Sequence, residues 1–121
     1  MVQNHAVVYH MLTRAHWEAT PPDCPLTADT LASEGFIHCT AEPERLLKVA
    51  NRFYRATPGD WLILVLAPAQ LTAPLYWEEA DGHLFPHVYG PINRQAIVDV
   101  LSFPRDGDNF LLPLQLSEQI V

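Results

Sequence analysis

Apolar and polar positions along this chain change rhythm several times, and each change predicts an element. "AVVYHML" (Ala6–Leu12) is β-branched and aromatic and reads as a first strand. "WLILVLA" (Trp61–Ala67) is apolar throughout and reads as a central strand covered on both faces. "IVDVLSF" (Ile97–Phe103) reads as a last long strand. "FIHC", entered through Gly35, and "PLYWEEA", ended by the turn Asp81-Gly82, read as shorter ones. "HLFPHVYGPI" is aromatic and broken by proline, so it reads as an edge strand or an extended segment. In "EPERLLKVANRFY" the spacing turns helical. Leu46, Leu47, Ala50, Phe53 and Tyr54 share one side, while Glu44, Arg45, Lys48, Asn51, Arg52 and Arg55 form a polar opposite side.

The joins follow from local chemistry. Thr13 is placed to cap a short helix, "RAHWEA". Thr40 is placed to cap the longer one, with Glu42 suited to the helix dipole and Pro43 in the first turn. "TPPDCPLTADTLASE" has no period and reads as a loop, and "PRDGDNFLLPLQL" as a hairpin-like tail that returns an apolar segment to the core. Strands outnumber helices and no βαβ rhythm repeats. The expected fold is therefore α+β, with mainly antiparallel sheets and two short helices, in a single domain over residues 1–121.

Composition narrows the function classes. The chain is 49% hydrophobic and 17% charged, a globular balance, and carries a net charge of −7. That acidity argues against a nucleic-acid partner, whose phosphates need a basic surface, but leaves room for a small anionic ligand held by local donors. The two cysteines, Cys24 and Cys39, match no zinc spacing and no disulfide framework. The first residues lack the basic and apolar regions of a signal peptide, and the longest apolar run is too short to span a bilayer. These features predict a cytoplasmic protein with no membrane partner, and they leave its oligomeric state open.

Four polar residues interrupt otherwise apolar strands: His10 in "VVYHML", His38 in "GFIHCT", Glu78 in "LYWEE" and His87 in "LFPHVYG". A lone strand histidine is usually a satisfied structural residue, but one shared cleft explains all four at once. Strand alternation puts His38 and Cys39 on opposite faces, so a cleft-facing His38 makes Cys39 a buried filler rather than a nucleophile. His10, His38 and His87, with or without Glu78, would also suit a catalytic zinc, an alternative that their sequence spacing neither supports nor excludes. Tyr9 and Tyr89 flank these positions and could stack on a planar ligand. His5, His16 and His83 read as surface residues.

"YHMLTR", "LASEGFIHCTAEPERLLKVANRFY", "LYWEE" and "LFPHVYGPINRQAIVDVLSF" together resemble a family of small bacterial proteins of unknown function, the domain-of-unknown-function family numbered 952. That family in turn resembles, remotely, the ADP-ribosyltransferase fold, a split pair of antiparallel sheets around a cleft for nicotinamide dinucleotide. The resemblance implies NAD as a possible substrate, and a cleft for a nucleotide or other small ligand. It implies a ribose contact for His10, with Thr13 and Tyr89 also at the bound nucleotide. It places His38 on the nicotinamide side or as general acid–base, and gives the third position, a catalytic carboxylate in those enzymes, to Glu78 or His87. Transfer or hydrolysis of ADP-ribosyl groups is the implied reaction. A non-catalytic ligand-binding domain is the alternative, because fold does not establish reaction.

Overall fold

The computed structural model describes residues 6–117. Strand β1 (Val8–Thr13) runs straight into helix α1 (Arg14–Ala19), whose first turn is capped by the Thr13 hydroxyl accepting from the His16 N–H at 3.1 Å. A proline-rich stretch leads through α2 (Asp29–Ser33) to the two-residue β2 (Ile37–His38) and then to α3 (Pro43–Phe53). Next come β3 (Trp61–Leu66), β4 (Leu75–Ala80), β5 (His83–Val88) and β6 (Ile97–Phe103). A small hairpin, β7 (Arg105–Asp106) and β8 (Asn109–Phe110), and helix α4 (Leu114–Ser117) complete the described chain.

Two antiparallel three-stranded sheets result, ordered β1-β3-β6 and β2-β5-β4. The fully apolar β3 lies at the centre of the larger sheet, as its composition requires. Its even positions, Leu62, Leu64 and Leu66, pack with Ile37, Cys39 and Val88 of the smaller sheet segment into one core. Its odd positions, Trp61 and Ile63, pack with Leu46 and Ala50 of α3 and with Phe103 and Phe110 into a second. Among the described residues no helix is long and apolar enough to cross a membrane.

The α+β class with antiparallel sheets agrees with expectation, and the helix count does not. Among the described residues there are four α-helices rather than two, and α3 spans eleven residues. Helix α2 lies in the stretch expected as a loop and α4 in the tail, both too short for a period to register. Thr40 does not cap α3. Its backbone is bridged to Tyr9, and Glu42 takes the N-cap position without a side-chain hydrogen bond. Phe53, expected on the apolar side, is 58% exposed at the last turn.

Strand β5 is the centre of its sheet rather than an edge, despite Pro86. The proline is tolerated because β2 ends at His38. Pro86 still accepts through its carbonyl from the Cys39 N–H at 3.1 Å, and its missing donor falls just past the end of that short partner. Strands β4 and β5 are joined by Asp81 and Gly82, both at positive φ (52° and 80°), the twist a two-residue hairpin prefers.

Candidate functional site

The site opens where the two sheets part. Tyr9 and Thr40 exchange backbone hydrogen bonds of 2.7 and 2.8 Å, joining β1 to the end of the β2 segment. An antiparallel ladder would next pair Met11 with His38, two residues along each chain. The bridge stays isolated, and the His38 carbonyl instead accepts the His10 Nδ1–H at 2.8 Å. An imidazole thus replaces a backbone rung, and the strands diverge around it. Burial pushes the His10 pKa down to about 4, against a smaller opposing pull from that hydrogen bond. His10 is therefore neutral at physiological pH, with the proton on Nδ1 and the lone pair on Nε2.

His10 and Thr13 line a first cavity of about 490 Å³, with His16, His38, Thr40 and Trp61 among its other walls. Thr13 accepts the α1 cap bond through its hydroxyl oxygen, which leaves the hydroxyl proton available as a donor. A second cavity of about 650 Å³ adjoins the first at His38, Thr40 and Val49. It lies between α3 and the outer face of the smaller sheet, and His87, Phe36, Arg45, Lys48 and Arg52 line it. The three strand histidines therefore line two adjoining cavities, with His38 on the wall of both.

Sheet register builds the outer face. His38 lies directly opposite His87, which lies opposite Tyr76, and Glu78 is the diagonal neighbour of His87. The His38 and His87 rings are 5.2 Å apart edge to face, and Phe36 stacks on His87 at 4.1 Å. Glu78 Oε1 accepts from His87 Nδ1 at 2.8 Å and from the Tyr89 hydroxyl at 2.5 Å. The Tyr89 hydroxyl, and after it His87, hold the Glu78 carboxyl below the usual carboxylate range, while Tyr89 is raised by the same bond. His87 is only 6% exposed, and its Nε2 has no hydrogen-bond partner among the described residues. Glu78 and His87, alternatives for the third position in the sequence, are one hydrogen-bonded unit in the structure. Tyr89, expected at the ligand, is the second donor to that unit.

His38 is half exposed, with Nε2 3.3 Å from a carboxylate oxygen of Glu34, a partner that the sequence did not single out. Cys39 points the other way. It is buried, and burial pushes its thiol up to about 12, so it is no nucleophile. Among the described residues no group of three or more His, Cys, Asp or Glu side chains could hold a metal ion.

The polar side of α3 lines part of the cavity between that helix and the smaller sheet. Arg45, Lys48 and Arg52, assigned by periodicity to the side opposite the apolar stripe, face the second cavity, so three of the chain's seven basic residues gather at one wall. Arg52 is paired with Asp81 at 3.0 Å, and Arg45 and Lys48 make no ion pair among the described residues. The exposed Phe53, expected in the core, stands at the same cavity, as does His83, which is exposed as expected.

The family described as Protein of unknown function (DUF952) matches residues 11–100. No curated protein matches the chain. Among solved structures, the crystal structure of protein CC0527 from Caulobacter crescentus is similar, with 24% identity, a TM-score of 0.76, and coverage of 95% of this chain and 99% of that one. The solution structure of CC0527 from the same bacterium is also similar, with 25% identity, a TM-score of 0.70, and coverage of 87% and 90%. These likenesses concern the fold.

Proposed function

The chain belongs to the DUF952 family, and from that premise we propose that its cleft binds NAD or a related nucleotide. One observation carries the reading. His38 lines both a cavity holding the neutral His10 and a cavity where Arg45 and Lys48 of α3, free of ion pairs among the described residues, face the smaller sheet, with Glu34, Glu79 and the Arg52–Asp81 pair also on its walls. A ligand with both sugar hydroxyls and phosphates matches that division. The first cavity offers the His10 Nε2 acceptor and the Thr13 donor to a ribose. The second offers cations to phosphate oxygens and the exposed Phe53 ring to a base.

ADP-ribosyl transfer or hydrolysis, the reaction that the resemblance to ADP-ribosyltransferases implies, wants a carboxylate beside the ribosyl carbon. Glu78 is the candidate, and its Oε1 is already held by Tyr89 and His87. That engagement favours a second reading, a nucleotide-binding domain without ribosyl chemistry. Titration with NAD and with ADP-ribose, followed by backbone amide shifts, tests the binding. Shifts around His10, His38 and Lys48 are expected, and their absence at millimolar ligand overturns the proposal. Release of nicotinamide from labelled NAD, abolished by His10→Ala, would select ribosyl chemistry; binding without release selects the domain without it.

A further inference from the structure

We propose that His87, held by Glu78, is the general base for hydrolysis of a phosphate ester or anhydride in the second cavity; this rests on the nucleotide-binding reading and assigns it a reaction. The geometry has three parts. First, Glu78 Oε1 fixes the proton of His87 on Nδ1, at 2.8 Å, and Tyr89 clamps the same oxygen at 2.5 Å. Phe36, stacked at 4.1 Å, fixes the ring plane. Nε2 is left as a lone pair without a protein partner among the described residues, on a residue that lines the cavity. Second, Arg45 and Lys48 line the same cavity and are not neutralised by ion pairs. Third, the charge of this wall selects the electrophile. Glu34, Glu79 and Asp81 also line the cavity, with Asp81 paired to Arg52, so among the described residues the unpaired cations there are Arg45 and Lys48 on α3. A ribosyl centre gains positive charge as its bond breaks, and these two cations disfavour it. A phosphoryl group carries negative charge on its oxygens, which cations stabilise.

In the step, a water oxygen forms a bond to phosphorus and the bond from phosphorus to the leaving oxygen breaks. His87 Nε2 takes the water proton and returns it to the leaving oxygen. No oxidant or further reactant is needed. Glu78 is a positioning residue. It keeps the tautomer in which Nε2 can accept, and its charge stabilises the imidazolium that forms. The other titratable or charged groups around His87 are His38 from β2, Glu34 before it, Tyr89, Glu79 and Asp81 at the end of β4 and its turn, His83 of β5, and Arg45, Lys48 and Arg52 of α3.

The experiment incubates the full chain with ADP-ribose, NAD and bis(p-nitrophenyl) phosphate, and follows products by ³¹P resonance and nitrophenolate absorbance. Cleavage at phosphorus is expected, with kcat falling about 100-fold or more in His87→Gln. Glu78→Gln is expected to lower kcat and displace the pH profile, which a purely structural role would not do. Because His87 is buried, Lys48→Met on the exposed helix side serves as a second variant, expected to lower cleavage while leaving the amide spectrum of the fold intact. Nucleotide binding without phosphorus cleavage in any of the three probes overturns the hydrolytic assignment and leaves the binding reading standing. Cleavage that survives both His87→Gln and Lys48→Met also overturns it. Absence of both binding and cleavage removes the two readings together.

Discussion

The two sheets use the same alternation to opposite ends. In β1-β3-β6 the central strand β3 meets apolar layers on both faces while β6 is exposed along Val98–Val100, and among the buried residues of the three strands His10 is the polar one. In β2-β5-β4 one face carries Ile37, Pro86 and Val88 into the core, and the other is open and carries His38, His87, Glu78, Tyr76 and Phe85. The two buried histidines show what the difference does. Both spend Nδ1 on an oxygen at 2.8 Å. His10 meets a carbonyl, which fixes its tautomer but brings no charge to support an imidazolium, so burial dominates and the ring stays neutral. His87 meets a carboxylate, which fixes the same tautomer. The larger sheet therefore yields a histidine held against a carbonyl, and the smaller sheet one held against a carboxylate.

The same substitution in the two sheets gives the largest expected contrast. Leu64→Ala removes a fully buried side chain from β3 and should cost roughly 2–5 kcal/mol, whereas Leu84→Ala in β5, 46% exposed, should cost less than about 1 kcal/mol. Denaturant midpoints read both, and equal losses would erase the distinction between the sheets. Next in size is a pH effect at His10. Its pKa is near 6.5 when unfolded and about 4 when folded, so the unfolded chain binds the extra proton first. Its contribution is fully present above pH 6.5 and should fade by up to about 3 kcal/mol as pH drops through 4. His10→Gln should flatten that part of the stability–pH curve; an unchanged slope would remove His10 as its source.

A smaller effect separates the two histidines directly. In ¹⁵N ring spectra at neutral pH, both should carry the proton on Nδ1. Glu78→Gln should disturb the His87 ring signals and leave those of His10 in place, and joint movement would mean that the two are not independently held. Glu78 itself, lowered by its two donors, should stay ionised until the pH falls below the usual carboxylate range. The smallest expected effect is chemical. With its thiol pushed up to about 12, Cys39 should resist a thiol reagent in the folded protein, while the partly exposed Cys24 reacts. A thiol count of two without denaturant would contradict the burial of the face that Cys39 shares with Ile37.

Much of the site was readable locally. Alternation in "GFIHCT" alone puts His38 and Cys39 on opposite faces, and the structure keeps them there. A further signal lay in the turn. A two-residue hairpin at Asp81-Gly82 pairs Ala80 with His83 and hence brings Glu78 diagonal to His87, so the dyad follows once the turn type is taken as register. Periodicity at α3 went only part of the way, for a physical reason. It tells which side of a helix is apolar, and Leu46 and Ala50 are indeed buried, but not what stands opposite the polar side. Pro86 misled, because a proline signals a missing donor and says nothing of how short the neighbouring strand is.

By itself, then, the sequence determined the identity and facing of the strand residues, since side-chain direction follows from backbone period and short-range turn chemistry. Three things were decided only by tertiary structure: that His10 takes the place of a ladder rung, that His38 lines two cavities, and that the α3 cations confront His87. Each depends on which distant segments pack together, and that choice is made by burying β3 between two layers rather than by any local stretch of the chain.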